Sequence, residues 1–304
     1  MRWADRVGKG VRTAPRDALV ADSTPQEVRG LAFGFHRAMD TAGATLGLLI
    51  AAGVVWFAQA NALDMSRNSF QVIVLVSLIP AFLAVISLAV GAKDVPVSRK
   101  REAPKFSLKE FGKPFRVFLV IVGIFTLGNS SDAFLVLRAQ NLGISVLGIL
   151  IMLAVFNLVY SLVSTPAGKL SDRIDRKRLI VYGWLVYAAI YFGFALAKSS
   201  WQIWLLYVMY GLYYGMAYGT ATAMVADLVP EHLRGTAYGT YHALVGLLAF
   251  PASLIAGFLW QGMGDWEGFG PSAPFWFGGT LAVIAVVLMV IWMPNHEHEK
   301  FSAE

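Results

Sequence analysis

The chain alternates between long apolar runs and short polar segments. Eight runs are uncharged, or carry one ionisable residue, over roughly the length of 20 residues that a bilayer-spanning helix needs. These runs occupy residues 41–63, 70–91, 117–137, 144–168, 179–197, 199–226, 236–264 and 268–295. Soluble domains do not string together runs of this length. The pattern predicts eight membrane-spanning helices and therefore an all-α polytopic membrane protein.

The first segment, residues 4–22, departs from that pattern. It carries seven Arg, Lys or Asp residues, and each costs about 2.5–3.5 kcal/mol near the centre of a span. At about 100° per residue, basic side chains share one face and apolar side chains the other. The basic face consists of Arg6, Lys9, Arg12 and Arg16, and the apolar face of Val7, Val11, Ala14, Ala18 and Ala21. This amphipathic helix either lies on the membrane surface or lines a water-filled pathway in a larger bundle.

Composition agrees with a membrane protein, and the charge is unevenly distributed. Of the 304 residues, 57% are apolar and 14% charged, against roughly 45–50% and 25% in soluble domains. The net charge of +6 comes largely from 93–116 and 169–178, whereas 261–273 holds no Lys or Arg. Since Lys and Arg concentrate in cytosolic loops, both rich loops, the connections 23–37 and 228–235, and the C-terminus are predicted to be cytosolic. The charge thus reflects topology rather than nucleic-acid binding.

An internal repeat relates two parts of the chain. A shift of 205 residues aligns Val20–Gly34 with Val225–Gly239, with eight identities in fifteen positions. Such a repeat indicates two homologous halves in the same membrane orientation. Two spans follow each copy, but four spans lead up to the second copy and only the polar segment leads up to the first. If the halves are equal, three helices are missing from the N-terminus.

Three short motifs resemble those of the major facilitator superfamily of secondary transporters. Residues 168–178, Gly-Lys-Leu-Ser-Asp-Arg-Ile-Asp-Arg-Lys-Arg, resemble the family's cytosolic loop signature between its eighth and ninth helices, with Asp175 where glycine is usual. Residues 6–10 resemble the Arg-x-x-x-Gly motif of the fourth helix. Residues 43–47 resemble the start of the antiporter motif of the fifth helix, although Leu48 replaces its proline.

The resemblance covers essentially the whole chain and implies the architecture. It implies a helical bundle of two pseudo-symmetric halves, in which this chain supplies helices four to twelve of twelve. The chain then divides into the remainder of the N-terminal half (1–92), a basic cytosolic linker (93–116), a six-span C-terminal half (117–295) and a cytosolic tail (296–304).

Asp132 is the principal candidate for chemistry inside the membrane. A lone carboxylate in a span is costly unless it is paired, protonated or hydrated, so Asp132 is a candidate for proton coupling or cation recognition. The alternative is a structural ion pair with Arg138 or with an arginine of segment 4–22. Asn129 and Ser130 offer hydrogen bonds beside it, either to a solute or to a neighbouring helix.

Two further groups are candidates for contact with a solute. If the resemblance holds, Arg12, Arg16 and Asp17 face the cavity, make it electropositive and favour an anionic or zwitterionic solute. Otherwise they anchor the segment at the lipid headgroups. Tyr210 and Tyr214 lie near the middle of their span and either bond or stack on a solute or pack within the bundle.

A charged cluster is predicted at the cytosolic ends of the helices. The resemblance implies ion pairs that hold the outward-open state and break when the two halves rock. In the repeat, Asp22 with Arg29 and Asp227 with Arg234 form corresponding pairs. The candidate gate residues are Gly168, Asp172, Arg173, Arg176, Asp22, Arg29, Asp227 and Arg234.

These features predict a secondary transporter in the cell membrane, with proton-coupled uptake or efflux, such as antiport, of small solutes by alternating access. Its expected partners are the solute, protons and the bilayer, with no cofactor, metal or nucleic acid. An enzyme would need convergent carboxylates or histidines, and the five histidines are scattered. His242, inside a span, is either a packing residue or a proton carrier. The alternative function is a truncated chain without transport of its own, as a fragment or a partner subunit.

Overall fold

The computed structural model describes residue 13 and residues 16–59, 65–91 and 111–293. Arg12, most of the linker 93–116 and the tail 296–304 lie outside the described residues. The described chain is helical, with 3-10 turns at Gln26–Val28 and Glu231–Leu233. Its helices are α1 (16–22), α2 (Arg29–Gln59), α3 (Arg67–Gly91), α4 (Lys113–Gly128), α5 (Ala133–Asn141), α6 (Val146–Ser171), α7 (Arg176–Leu196), α8 (Ser200–Asp227), α9 (Arg234–Gln261) and α10 (Ala273–Trp292).

The predicted all-α polytopic class is confirmed. Seven stretches of the described residues are helical, long and apolar enough to cross a membrane, with α4 and α5 counted together. The eighth predicted span, α8, has 28 residues but falls below the others in hydropathy because tyrosine, glycine and threonine make up much of it.

Two predicted boundaries were wrong. The connection 23–37 is shorter than predicted because α2 begins at Arg29. The charged side chains of its first turns are accommodated by ion pairs inside the bundle, so they do not end the helix. The run 117–137 is not one helix, because the chain leaves α4 at Asn129 and re-enters a helix at Ala133.

The C-terminal section, α4–α10, packs around an aromatic core. Phe125 stacks on Trp184 at 4.4 Å between ring centroids, and Tyr187 stacks on Tyr191 at 4.0 Å. In the N-terminal section, α1–α3, helix α2 packs along α6 and α8. The side chains of α3 are mostly exposed, and its apolar surface is suited to lipid or to other helices.

The crossing of α2 over α6 depends on glycine. A Cβ atom on Gly30 or on Gly168 would run into the backbone of the other helix, and a Cβ on Gly34 would meet the Ser164 carbonyl. Small residues of this kind let two helix backbones approach closely. The predicted gate residue Gly168 therefore serves contact between the two sections and carries none of the gate's charge.

The internal repeat is present in the backbone as well as in the sequence. In each copy a helix ends, a turn leads through proline into a short 3-10 turn, and a new helix begins at arginine. Pro25 has φ −54° and ψ 148°, and Pro230 has φ −60° and ψ 155°. The first copy links α1 to α2, and the second links α8 to α9.

Candidate functional site

The charges that both copies of the repeat share meet at one end of the bundle, here called the charged end. Arg29 Nη1 lies 3.0 Å from Asp227 Oδ1, and Arg234 Nη1 lies 3.2 Å from Asp22 Oδ1. The predicted pairing within each copy, Asp22 with Arg29 and Asp227 with Arg234, was therefore wrong. The two copies lie side by side, so the arginine that starts a helix in one copy faces the aspartate that ends a helix in the other.

The loop between α6 and α7 extends this network. Arg176 bridges two carboxylates, with Nη2 2.9 Å from Asp172 and Nη1 2.8 Å from Asp227. Both oxygens of Asp172 also accept backbone N–H groups at the start of α2, from Gly30 at 2.7 Å and Leu31 at 2.8 Å. A carboxylate is stabilised there by free N–H groups and by the helix dipole. The loop signature thus binds the start of α2 through the charge of Asp172 and through the free backbone N–H groups of the helix terminus.

Arg173 does not belong to this network. It is exposed in the turn between α6 and α7, and no ion pair joins it to the charged end within the described residues. Its inclusion among the gate residues was wrong, because the turn directs Arg176 inward and leaves Arg173 outside. Lys177 is buried instead and donates to the carbonyls of Val290, at 3.2 Å, and Met293, at the end of α10.

Asp132 lies at the break between α4 and α5 and is exposed to the space beside the C-terminal section. Its Oδ1 accepts a hydrogen bond of 2.8 Å from the Tyr210 hydroxyl, whose oxygen lies 3.4 Å from that of Tyr214. Tyr210 is buried and Tyr214 half-buried. Asn129 Oδ1 accepts from the Tyr187 hydroxyl at 3.3 Å. The structure brings together Asp132, Tyr210 and Tyr214, three of the candidate solute-binding residues.

Arg138 is neither the partner of Asp132 nor part of the cavity. It is 8% exposed and donates to the carbonyls of Ala197, at 2.7 Å, and Phe194, at 3.3 Å. These are unsatisfied carbonyls at the end of α7, which a cation stabilises. The helix break explains the error, because it places Arg138 on a separate short helix that reaches α7.

A second polar group lies between α1, α2, α8 and α9. Asp17 is buried, accepts from Arg16 Nε at 2.9 Å, and lies 2.8 Å from His242 Nε2. His242 is thus bonded across the two copies and is not a packing residue alone. The small cavity beside it is lined by Arg16, Asp17, His36, Arg37, Tyr218 and Thr222, among others.

The sequence prediction missed Arg37, the best-placed cation of this cavity. Its guanidinium carbon lies 3.8 Å from the centre of the Tyr218 ring, a cation–π contact, and Nη1 pairs with Asp40 at 2.9 Å. The repeat contains a signal for it, because the 205-residue shift that defines the repeat aligns Arg37 with His242. The positive charge expected for the cavity is also smaller than predicted, because Arg16 and Arg37 each have a carboxylate partner.

A membrane-spanning bundle built on a repeat, with ionisable side chains inside it, has the architecture of a solute transporter. Comparisons with known proteins agree. The profile of the Major Facilitator Superfamily matches residues 117–304. The chain is 36% identical over 292 residues to the uncharacterized MFS-type transporter MJ1317 of Methanocaldococcus jannaschii, covering 94% of this chain and 69% of that protein. The chain belongs to the Major Facilitator Superfamily.

Two more distant likenesses extend this result. The quinolone resistance protein NorA of Staphylococcus aureus is 25% identical over 179 residues, which is 58% of this chain and 43% of NorA. The structure of the proton:xylose symporter XylE bound to 6-bromo-6-deoxy-D-glucose superimposes with a TM-score of 0.64 at 16% identity, over 92% of this chain and 67% of XylE. The chain therefore spans about two thirds of the symporter and less than half of NorA.

Proposed function

We propose that the protein moves a small solute across the membrane by alternating access, as a proton-coupled secondary transporter. The observation that carries this proposal is the crossed arrangement of ion pairs at the charged end. Arg29 ties the start of α2 to the end of α8, and Arg234 ties the start of α9 to the end of α1. Both contacts lie next to the polar cavity, so they are placed to close one side of it.

The charged end is proposed to face the cytosol. The basic segments 93–116 and 169–178 favour this orientation. We propose that the protein lies in the plasma membrane, and this orientation then places its C-terminus in the cytosol. With the ion pairs formed, the cavity is closed to the cytosol. Rocking of α1–α3 against α4–α10 breaks both pairs and admits water that hydrates the separated charges.

Asp132 is proposed to carry the coupling proton. Asp132 lies at a helix break within a span, and its carboxylate accepts a hydrogen bond from the neutral hydroxyl of Tyr210. A carboxylate without a cationic partner in a membrane is stabilised by protonation or by a bound cation. The proton symporter among the structural relatives supports coupling to protons, and the family relationship supports a small solute as cargo.

Site-directed labelling tests the gate without knowledge of the solute. The chain has no cysteine, so Thr222→Cys introduces a single thiol at a buried position of the cavity. In everted vesicles of the protein's own host, a membrane-impermeant maleimide should react slowly with this thiol. Adding Asp22→Asn and Asp227→Asn should accelerate the reaction at least about tenfold, because the charged end opens.

The matched control for the labelling is Asp175→Asn, which removes a carboxylate that accepts the Lys177 N–H at the start of α7, away from the crossed pairs. It should leave the maleimide rate unchanged. Fast labelling in the unmodified background, or no acceleration when both gate carboxylates are neutralised, would contradict a gate at this end.

Coupling is tested with Asp132→Asn in host vesicles under an imposed proton gradient. The quinolone norfloxacin serves as the probe because one relative is a quinolone resistance protein. Gradient-driven movement should be lost in Asp132→Asn and retained in Asp265→Asn, an exposed position outside the helices. The sign of the movement shows uptake or efflux. Transport by Asp132→Asn that equals the unmodified protein at all pH values would remove Asp132 from coupling.

A further inference from the structure

We propose that the solute is an elongated zwitterion, held with its cationic nitrogen at Asp132, its acidic group at Arg37 and its apolar middle against one face of α8. This proposal rests on the proposed transport function and specifies the class of solute. The face of α8, here called the tyrosine face, consists of Tyr210, Tyr214 and Tyr218, which follow one another at four-residue intervals.

The acidic end of the site is Asp132. Of its two carboxylate oxygens, Oδ1 accepts the hydrogen bond from Tyr210, and no ion pair joins Asp132 to a cation within the described residues. The only nearby arginine in sequence, Arg138, is committed to the carbonyls at the end of α7. The hydroxyl of half-buried Tyr214, 3.4 Å from that of Tyr210, adds a neutral oxygen beside this end of the site.

The basic end is Arg37, eight residues into α2. Its guanidinium stacks over the ring of Tyr218 and uses Nη1 for Asp40. A guanidinium has five N–H donors, so this one bond does not exhaust it, and a carboxylate can be bound through two parallel bonds. Asp40 is 56% exposed, and its bond occupies only Nη1 of the guanidinium. Half-buried His36 lines the same cavity.

The tyrosine face sets the distance between the two ends. Tyr210 contacts Asp132, and Tyr218 contacts Arg37. Eight residues of helix rise about 12 Å, so the two tyrosines that contact the charged residues are separated by about the length of two linked aromatic rings with their substituents. Midway, the Tyr214 ring packs against Phe156 at 5.6 Å and Tyr160 at 5.3 Å between centroids, which provides an aromatic wall for an apolar middle.

The two ends belong to different sections of the bundle. Arg37 lies on α2 of the N-terminal section, whereas Asp132 lies between α4 and α5 of the C-terminal section. A zwitterion that reaches both charges joins the two sections, whereas a simple cation or a simple anion binds one section alone. The arrangement therefore selects a solute by the presence and the separation of both charges.

The test measures equilibrium binding to the protein purified from its host membranes, by isothermal titration calorimetry. The probes are 4′-(aminomethyl)biphenyl-4-carboxylate, which is zwitterionic, its methyl ester, which is cationic, and its N-acetyl derivative, which is anionic. We expect the zwitterion to bind at least about tenfold more tightly than either derivative, as the loss of one charge-assisted contact implies.

The variants assign each charge to its residue. In Arg37→Gln the zwitterion should bind no better than the methyl ester, and in Asp132→Asn no better than the N-acetyl derivative. Arg178→Gln, which removes an exposed charge of the α7 start, is the matched control and should bind all three probes as the unmodified protein does. Arg37→Lys, which keeps the charge, should retain the preference for the zwitterion, and size-exclusion profiles show that each variant is folded.

Two results would overturn the proposal. One is folded protein that binds the methyl ester as tightly as the zwitterion, or that binds none of the probes. The other is a zwitterion preference that survives both Arg37→Gln and Asp132→Asn. Binding is measured without vesicles or a gradient, so failure of the labelling experiment with intact zwitterion binding would count against alternating access alone.

Discussion

The two copies of the repeat have the same backbone and different surroundings. In the first copy, Gly30 and Gly34 lie against α6, where a Cβ atom would collide with backbone. At the corresponding positions of the second copy, Gly235 and Gly239, a Cβ atom would meet nothing within the described structure. The same sequence therefore encodes one helix–turn–helix shape, while the neighbours decide which of its residues bear the contacts.

The two crossed ion pairs also differ between the copies. Asp227 is 21% exposed and is shared by Arg29 and Arg176, whereas Asp22 is 28% exposed and pairs with Arg234. The second copy thus supplies the carboxylate on which two cations depend. Three residues beyond the aligned segments, the same shift pairs Arg37 with His242, so an arginine on α2 corresponds to a histidine on α9.

The largest difference should come from the two aspartates. Asp227→Ala leaves Arg29, which is 4% exposed, without its carboxylate, and breaking a buried pair in this way costs about 3–5 kcal/mol of unfolding free energy. Asp22→Ala should cost less, about 1.5–3 kcal/mol for the lost hydrogen bond to a charged group, because Arg234 keeps Glu231, 3.5 Å away, as a second carboxylate partner. Thermal unfolding of both variants in detergent measures the difference. Equal losses of unfolding free energy in the two variants would show that the two ion pairs stabilise the charged end equally.

The glycine comparison should give a smaller effect of opposite sign. Gly30→Ala inserts a methyl group into the α2–α6 crossing and should destabilise the protein by about 1–3 kcal/mol. Gly235→Ala has open space in the described structure and should be neutral or stabilising by up to about 1 kcal/mol, because alanine favours helix. Thermal unfolding again provides the measurement. A loss in Gly235→Ala similar to that in Gly30→Ala would mean that a helix covers that face.

The smallest predicted effect concerns one hydroxyl group. The second copy has Tyr238, whose hydroxyl donates to the Thr222 carbonyl at 3.0 Å, where the first copy has Phe33. Tyr238→Phe makes the copies alike at this position and should cost about 1 kcal/mol, the net contribution of one hydrogen bond. The control, Tyr238→Leu, also removes the ring and should cost more. An unchanged melting temperature in Tyr238→Phe would show that the hydroxyl contributes nothing net.

Much of the fold could be predicted because membrane burial imposes long apolar runs. The eight spans and the 205-residue repeat both follow from the sequence, whereas the contact between Asp132 and Tyr210 was not predicted from it. The break at Asn129 was not predicted; it follows directly on the point where α4 approaches α10 so closely that a Cβ on Gly128 would meet Gly278. Hydropathy reports the environment of a segment and not such a crossing.

The pairing of charges was predicted less well than their presence. Asp22 and Arg29 are seven residues apart, and proximity in sequence favours a local pair, whereas the native partners are 198 and 212 residues away. Arg37 was missed for a related reason, because a charge near an apolar run indicates a loop when considered alone. In each case the partner of the charged residue lies on a helix that is distant in sequence. The residues around the charge do not indicate which helix that is.

The crossed pairs resemble the contact between the two subunits of a twofold-symmetric dimer. In such a dimer, residue i of one subunit meets residue j of the other, and residue j of the first meets residue i of the second. Each copy of the repeat likewise supplies an arginine to the other copy and an aspartate to the other copy. A change in one copy alters the partner that the other copy requires, so the two copies are not free to diverge independently at these positions. Two segments 205 residues apart are therefore constrained as if they were one site.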